Sequence, residues 1–506
     1  MRTKKGLKNI LYSIFSYGIL FLLSLILRKF FLQYLNIDFL GIESVLNNLF
    51  SLMALVDVGT GSLITYLLYK AFAVNQLDEV AKLMSIYKMM YLIIAGVMSV
   101  LSVFVIPLLP FIIHVDGIDF QYLVLVYIIR ILIMAGTYCF AYRRLLFQVD
   151  QCEYICTNID TVSNILKYGI SFIVIILTNS YIAYLVVQAI TVISTNYYIA
   201  HLSYNKYPYA NNIKITITDL KERNFFVDMK NVYAIKLAGT IFGSTDSLIL
   251  SISNGVRAVA LLTNYTIIAD MLVQTFVVLF RPLQGSIGNF MYSESPLKTM
   301  ELFRMFDLLA FLIGSVFAIC FSLLINPFIA LWFGEAYVLS LAIVILISVK
   351  LYMGFIIHFV SEFRELVGNF KIDRNYIILG AFLNIVVSIL FVKDYGIGGL
   401  YVGTILGMMG FWIGRYKVLV KECFKKSIPR YVLQQFLRFI ILTIEFSVCY
   451  CLCQLFDIGF FSILLRCVIC IAIPLTLNIL IYCRSRDFLY LLNYSKDVFS
   501  ILKKRI

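Results

Sequence analysis

Apolar segments of roughly twenty residues recur along the whole chain, and they constrain its fold more than any other feature. A helix rises about 1.5 Å per residue, so about 20 apolar residues cross the ~30 Å hydrocarbon core of a bilayer. Hydrophobic residues make up 61% of the 506 residues and charged residues only 14%. A soluble domain is nearer to about half apolar and about a quarter charged, because its surface needs polar cover. The sequence therefore predicts a membrane protein.

Fourteen such segments can be distinguished, with polar connections between them. We therefore predict an all-α polytopic membrane protein with about fourteen transmembrane helices. The outward connections are only a few residues long and leave no room for a catalytic domain, so an enzyme is not expected. The predicted helices are 10–32, 40–70, 89–113, 120–147, 155–177, 182–203, 232–252, 256–280, 302–325, 338–359, 376–392, 397–420, 432–456 and 458–483.

Lys and Arg are concentrated on one side of this predicted topology. The two tails and the even-numbered connections together hold 31 of the 42 basic residues. The opposite connections clearly hold only Arg257 and Lys393. Because cytoplasmic loops carry the excess of Lys and Arg, we predict a multi-pass protein of the cytoplasmic membrane with both termini in the cytoplasm.

The longest connection follows the sixth predicted helix and suggests a division of the chain. We predict a six-helix lobe over 1–204, a cytoplasmic linker over 205–231 and a second six-helix lobe over 232–421. Residues 422–506 would add two transmembrane helices and a basic cytoplasmic tail. Gly41 and Gly255 open the second and eighth predicted helices after short outward turns, as a parallel duplication would require.

We single out twelve charged residues inside the predicted helices, because a charge at the bilayer centre costs about 2.5–3.5 kcal/mol on the lenient insertion scale. Five basic members are predicted to line one cavity and bind an anionic substrate: Arg28, Arg130, Lys167, Lys236 and Lys350. The alternative is that these long side chains reach the membrane interface. Lys29, Asp160, Asp270, Asp57, Asp246, Glu445 and Arg466 complete the set, and the last two are expected to pair with each other.

Two of the acidic residues lie in segments that suggest ion coupling or charge pairing. Asp57 precedes Gly59 and Gly61, which weaken the helix and permit a hinge. Tight packing of helices through these small residues is the other interpretation. Asp246 lies within the polar run 243–247, for which a purely structural role in lipid is harder to argue.

Several chemistries are disfavoured by the absence of their motifs. The eleven cysteines lie mostly in apolar segments and are best explained as small apolar filler. The three histidines have no metal-ligand spacing and no phosphate-binding loop is present, so we expect no metal, no cofactor and no ATP hydrolysis. Energy would come from the substrate gradient or from a coupling cation, H⁺ or Na⁺.

The first 290 residues or so contain two groups of segments that resemble one known family. They are similar to the polysaccharide-type flippases, the O-antigen and capsule repeat-unit translocases of the multidrug/oligosaccharidyl-lipid/polysaccharide exporter superfamily. That family often has Glu where Asp57 stands and Pro where Ala71 stands. The matching segments are 40–43, 55–61, 66–70, 77–80, 242–250, 263–265 and 285–289, with Arg28 before them.

The resemblance implies a MATE-like fold in which two six-helix lobes face a central cleft and two helices follow. It also implies a polyprenyl-diphosphate-linked oligosaccharide as substrate, moved from the inner to the outer leaflet for surface polysaccharide synthesis. Other polysaccharide-assembly proteins are then candidate partners, along with membrane lipid, and nucleic acid is not expected. An ion-coupled multidrug exporter and a peptidoglycan lipid-precursor flippase of the same fold are the alternatives. A drug exporter would need a mainly acidic cavity.

Overall fold

The computed structural model describes residues 2–57, 60–115, 117–211, 230–280, 284–367, 370–424, 428–456 and 460–503. These residues are almost entirely helical, and no strand occurs among them. The helices are α1 (Arg2–Tyr34), α2 (Ile37–Met53), α3 (Thr60–Ala73), α4 (Leu77–Val105), α5 (Leu109–Ile112), α6 (Phe120–Ala141), α7 (Arg144–Val149), α8 (Glu153–Thr178), α9 (Tyr181–Lys206), α10 (Lys230–Phe280), α11 (Gln284–Ser293), α12 (Pro296–Trp332), α13 (Leu341–Val367), α14 (Phe370–Tyr395), α15 (Ile397–Leu419), α16 (Ile428–Cys453), α17 (Phe460–Tyr482) and α18 (Arg486–Lys503).

The number of membrane crossings follows from the lengths of these helices. Within the described ranges, 12 helical segments are long and apolar enough to span a bilayer. One of them, Ala234–Phe280, has 47 residues. At 1.5 Å per residue it would be about 70 Å long, more than twice the ~30 Å core, so it must cross twice. α1 has 33 residues and covers the first predicted helix. The predicted polytopic, all-helical architecture is confirmed.

A backbone break at Gly255 separates the two crossings of α10. Gly255 has φ 78° and ψ 167°, a conformation that only glycine adopts without strain. The backbone N–H of the next residue, Val256, donates to the carbonyl of His114 at 3.2 Å. A Cβ at Gly41 would clash with the Val256 carbonyl oxygen, so α2 and this part of α10 meet backbone to backbone. Gly41 and Gly255, which open the second and eighth predicted helices, thus lie at one helix contact.

The second predicted helix, 40–70, is divided in two. α2 ends at Met53, a 3-10 turn covers Ala54–Asp57, and α3 begins at Thr60. The break coincides with the segment where the sequence predicts a weak helix. Gly59 lies outside the described residues, as does most of the predicted linker, residues 212–229.

The chain divides into two compact units, Met1–Ala260 and Leu261–Ile506. In the first unit, α3, α4, α7 and α9 share a core of buried aliphatic and aromatic side chains. It includes Ile64, Leu68, Val80, Leu83, Leu146, Phe147 and Ile199. The predicted lobe boundaries at 204 and 232 stay predictions.

In the second unit, α12 contacts α13, α16, α17 and α18. A buried ion pair joins α12 to α16, because Asp307 and Arg438 are only 2% and 1% exposed and lie 2.5 Å apart. The Asp307 carboxylate also accepts hydrogen bonds from Tyr431 and Gln435, both at 2.8 Å. A buried charge is stable only when it is paired and hydrogen-bonded in this way. This network therefore fixes α16 against α12.

Candidate substrate-binding site

A charged cluster in the first unit is built around Glu43, in the first turns of α2. An Arg130 terminal nitrogen from α6 lies 2.7 Å from Glu43 Oε1. The other donates to Asn47 Oδ1 at 3.2 Å. Glu43 and Asn47 are four residues apart and thus neighbours on the same face of α2. Arg130 is only 9% exposed, so these contacts hold its guanidinium inside the protein.

Two further predicted basic residues lie close to the same carboxylate. Arg28 of α1 interacts electrostatically with Glu43 and Tyr184. Lys167 of α8 interacts with both Glu43 and Arg130. Three of the five predicted basic residues therefore converge from three helices on one carboxylate. Three cations and one anion leave a net positive charge of two, which attracts an anion.

Aromatic side chains of α9 enclose this basic cluster. Tyr181 and Tyr184 pack with their ring centroids 5.9 Å apart, and Tyr184 lies 5.3 Å from Phe31 of α1. Phe39 stacks on Tyr181 at 4.6 Å. Tyr181 is buried and interacts with Arg130. Such surroundings strengthen electrostatic interactions relative to water, because the effective dielectric constant is lower.

Glu43 itself was not among the predicted site residues. Glu43 lies near the start of the second predicted helix, where a charge costs less than at the bilayer centre. The signal that could have identified it is the excess of basic residues in the surrounding helices. Arg28, Arg130 and Lys167 need a common counter-charge, and Glu43 with Asn47 offers acceptors one helical turn apart.

The two remaining predicted basic residues lie elsewhere. The Lys236 side chain on α10 is exposed, and no contact described for it joins it to the Glu43 cluster. Lys350 belongs to the second unit and lines a cavity of about 270 Å³. Its Nζ lies 5.6 Å from the centroid of the Tyr401 ring. Asp270 lines the same cavity, so a carboxylate offsets the Lys350 charge there.

The Lys350 cavity combines charged, polar and aromatic side chains. Asp270 was recognised in the sequence as an intramembrane charge but was not assigned to the site. The cavity's polar and aromatic lining can donate and accept hydrogen bonds and offer a ring face. Its lining comprises Thr266, Ala269, Asp270, Val273, Gln274, Ile347, Lys350, Leu351, Gly354, Tyr401 and Met408.

The predicted coupling residue Asp57 has a tyrosine-rich environment. It acts electrostatically on Tyr87, Tyr91 and Tyr138. The Tyr87 hydroxyl donates to that of Tyr91 at 2.8 Å. A Cβ at Gly61 would lie 3.3 Å from the Tyr87 hydroxyl, so the small residue allows close packing here. Asp57 thus lies beside polar phenols that can hydrogen-bond to a carboxyl or to water.

The polar run that contains Asp246 connects two helices of the first unit. Asp246 is half-buried in α10. Its neighbour Ser247 accepts a hydrogen bond from Asn48 of α2 at 3.0 Å. Asn48 also donates to the Ser44 carbonyl at 3.0 Å. The run therefore contributes to helix association, which hydrogen bonds between polar side chains can stabilise in lipid.

The predicted pairing of Glu445 with Arg466 is wrong. Arg466 donates to the backbone carbonyl of Phe456 instead. Neither oxygen of the Glu445 carboxyl has a hydrogen-bond partner among the described residues. The two side chains lie at different depths, because Arg466 is bonded at Phe456, just beyond the end of α16 and about three helical turns from Glu445. In the part of the chain that the structure describes, no group of three or more His, Cys, Asp or Glu side chains could hold a metal.

A second polar cluster lies outside the membrane-spanning segments, between α7 and α8. Asp150 accepts hydrogen bonds from Lys206 and the Tyr207 hydroxyl, both at 2.9 Å, and from Cys152 at 3.2 Å. Burial favours the protonated carboxyl, but these bonds outweigh it and hold the pKa of Asp150 below its ordinary value. The cluster ties the end of α9 to the α7–α8 turn.

Comparison with known proteins places the fold among membrane transporters. No protein-family profile matches the sequence, and no curated protein matches it. Among solved structures, the lipid II flippase MurJ, inward closed, superposes with a TM-score of 0.69 at 16% identity, covering 94% of this chain and 99% of that one. A point mutant of the Vibrio cholerae MATE transporter VcmN superposes with a TM-score of 0.58 at 15% identity, covering 83% of this chain and 99% of that one.

The eukaryotic MATE transporter AtDTX14 gives a TM-score of 0.55 at 14% identity, covering 83% of this chain and 95% of that one. At these identities the likeness shows the fold alone. The chain is therefore a multi-pass helical protein with the fold of MurJ and MATE transporters. These solved relatives are transporters or flippases.

Proposed function

We propose that this chain is a flippase that moves a polyprenyl-diphosphate-linked oligosaccharide from the inner to the outer leaflet of the cytoplasmic membrane. The observation that carries the proposal is the cluster of Arg28, Arg130 and Lys167 around Glu43, inside membrane-spanning helices. The product would supply surface polysaccharide synthesis, and polysaccharide-assembly proteins would be its partners. Both termini would face the cytoplasm.

The basic cluster suits a diphosphate. A guanidinium presents parallel N–H groups that match phosphate oxygens bidentately, and charge-assisted bonds of this type are about twice as strong as neutral ones. Glu43 would hold Arg130 in position until the substrate arrives. The diphosphate would then replace Glu43 and Asn47 as acceptor, so the guanidinium would never be left without a partner. This exchange lowers the cost of moving a charged head group through the protein.

Flipping is physically easier than complete extraction of such a lipid. Removing a long polyprenyl tail from the bilayer would cost about 0.8 kcal/mol per buried CH₂. Only the charged and hydroxylated head group would pass through the protein while the tail stays in lipid. Alternating access of the kind used by transporters built from repeated helix bundles would expose the head group to each side in turn.

The Lys350 cavity suits hydroxyl groups better than a diphosphate. Asp270 offsets the positive charge of Lys350, so an anion gains less there than in the Glu43 cluster. Asp270, Gln274 and Thr266 provide acceptors and donors for hydroxyl groups. Lys236 would contribute at most to the local potential because it is exposed. Asp57 and Asp246 would pair with basic groups or carry the coupling cation.

A lipid-linked precursor flippase of the kind named in one solved relative is the second candidate. The chain shares the fold of the lipid II flippase over nearly the whole of both chains, so its fold is compatible with this candidate. A multidrug exporter for organic cations is less compatible with a cluster that carries net positive charge.

Deletion of the gene in the producing cell separates these candidates. Lipid-linked oligosaccharide should accumulate on the cytoplasmic face, as measured by its protection from membrane-impermeant reagents added outside. Unchanged delivery to the outer leaflet would refute the proposal. Purified protein in liposomes should move the lipid-linked oligosaccharide extracted from these cells. Movement of lipid II alone would favour the second candidate, and efflux of cationic drugs alone would favour an exporter.

A further inference from the structure

Glu445 is the most unusual carboxyl of the second unit. It lies in α16, within the candidate span Tyr431–Cys453, and is 0% exposed. No donor among the described residues forms a hydrogen bond with either of its carboxyl oxygens. Arg466, the partner expected from the sequence, bonds to the Phe456 carbonyl.

The groups around Glu445 leave it without a cation of its own. Arg438 lies seven residues earlier on α16, but its guanidinium is bound to Asp307 of α12. Tyr352 of α13 and Tyr482 of α17 are both close enough to interact with Glu445 electrostatically. The Tyr352 hydroxyl is itself buried without a hydrogen-bond partner among the described residues. The remaining titratable neighbour is Cys449, one turn later on α16.

An ionised Glu445 carboxylate would be energetically unfavourable in these surroundings. A buried charge must be paired, or the group becomes neutral instead. A protonated carboxyl is neutral and can both donate and accept a hydrogen bond, as the Tyr352 hydroxyl can. Intramembrane carboxyls of this kind belong to proton relays in pumps and transporters.

We propose that Glu445 is a proton-binding residue of the transport cycle, protonated in this conformation and deprotonated when α16 separates from α12 and α13. This inference rests on the proposed flippase function. The spacing of Tyr431, Gln435, Arg438 and Glu445 places all four on one face of α16. The first three bind Asp307, so one helix face combines a fixed ion pair with a variable charge.

Deprotonation of Glu445 would add a negative charge to this face of α16. With Glu445 neutral, Arg438 has Asp307 as its one carboxylate. With Glu445 ionised, this face of α16 would hold a buried carboxylate without a cation of its own, and the packed arrangement would become less stable. Proton binding would thereby select the packed arrangement, which is how a ligand shifts a conformational equilibrium.

The test uses the full-length protein in liposomes, with lipid-linked oligosaccharide extracted from the producing cells as probe. An imposed pH gradient should accelerate translocation by the wild type, and a pH-sensitive dye inside the liposomes should report proton movement. Glu445→Gln, which is permanently neutral, should lose both the acceleration and the proton signal. Glu445→Asp retains a carboxyl and should keep the acceleration. Glu335→Gln makes the same change at an exposed position and should behave as wild type.

Infrared spectroscopy tests proton binding without any substrate. The wild type should show a protonated-carboxyl band that is absent in Glu445→Gln and disappears reversibly as the pH is raised. A band that persists at every pH where the protein is folded would identify a permanently neutral structural acid and overturn the inference. So would a Glu445→Gln protein that still responds to the gradient. If the wild type moves no oligosaccharide, the flippase proposal fails, while the infrared result still decides the state of Glu445.

Discussion

Replacing Arg130 by Gln should impair both the stability of the first unit and the binding of an anionic head group. The change leaves the Glu43 carboxylate without its nearest cation, and the Glu43 side chain is only 18% exposed. Breaking a buried pair by removing one partner costs about 3–5 kcal/mol, because the other charge remains buried. Since Arg28 and Lys167 still interact with Glu43, we expect a loss near the lower end of this range.

The expected loss of affinity for an anionic head group has a different physical origin from the loss of stability. Hydrogen bonds to charged groups contribute about 1.5–3 kcal/mol each. Losing one such contact to a phosphate therefore corresponds to a decrease of about 10- to 100-fold in affinity. Arg130→Lys keeps the charge but loses the planar pair of donors, so its affinity should lie between those of the wild type and Arg130→Gln.

A double variant distinguishes the two effects. Glu43→Gln with Arg130→Gln removes the carboxylate that Arg130→Gln leaves unpaired, but Arg28 and Lys167 then lose their counter-charge, so the thermal unfolding temperature should recover only in part. Binding of inorganic pyrophosphate, measured by calorimetry, should stay weak, and so should oligosaccharide translocation. Arg257→Gln, at an exposed position of the same unit, is the matched control and should change neither quantity.

The reasoning would be refuted by a double variant that binds pyrophosphate and transports as the wild type does. In that case the Glu43 cluster would be a structural ion-pair network, and the anionic substrate would need another site.

Three further predictions concern the fold and its response to pH. Asp307→Asn should lower the thermal unfolding temperature, because Arg438 would stay buried without a carboxylate, at a cost of about 3–5 kcal/mol. An unchanged unfolding temperature would contradict the proposed link between α16 and α12. Asp150→Asn should destabilise the protein at neutral pH by about 1 kcal/mol or less. Because the folded state lowers the pKa of Asp150, its contribution is present above the unfolded pKa and is lost as the pH falls, so wild type and variant should converge in acid. Gly255→Ala should cost about 1 kcal/mol or more, because φ is 78° there, whereas Gly169→Ala within α8 should be tolerated.

The class of fold and the approximate positions of most helices follow from the pattern of residues along the chain. The apolar segments are as long as the bilayer is thick, and a helix satisfies its own backbone hydrogen bonds within one segment. These are local properties, so α6, α8 and α9 each lie largely where an apolar segment predicts them. The division of the second predicted helix at 54–57 is likewise indicated by the glycines beside it.

The meeting of particular intramembrane charges depends instead on how the helices pack. The sequence assigns each residue a depth along a helix, but the rotation of that helix about its axis is set by its neighbours. Arg28, Arg130 and Lys167 share Glu43 because four helices turn those faces toward one another. For the same reason Asp270 lies in the cavity of Lys350 and Lys236 is exposed.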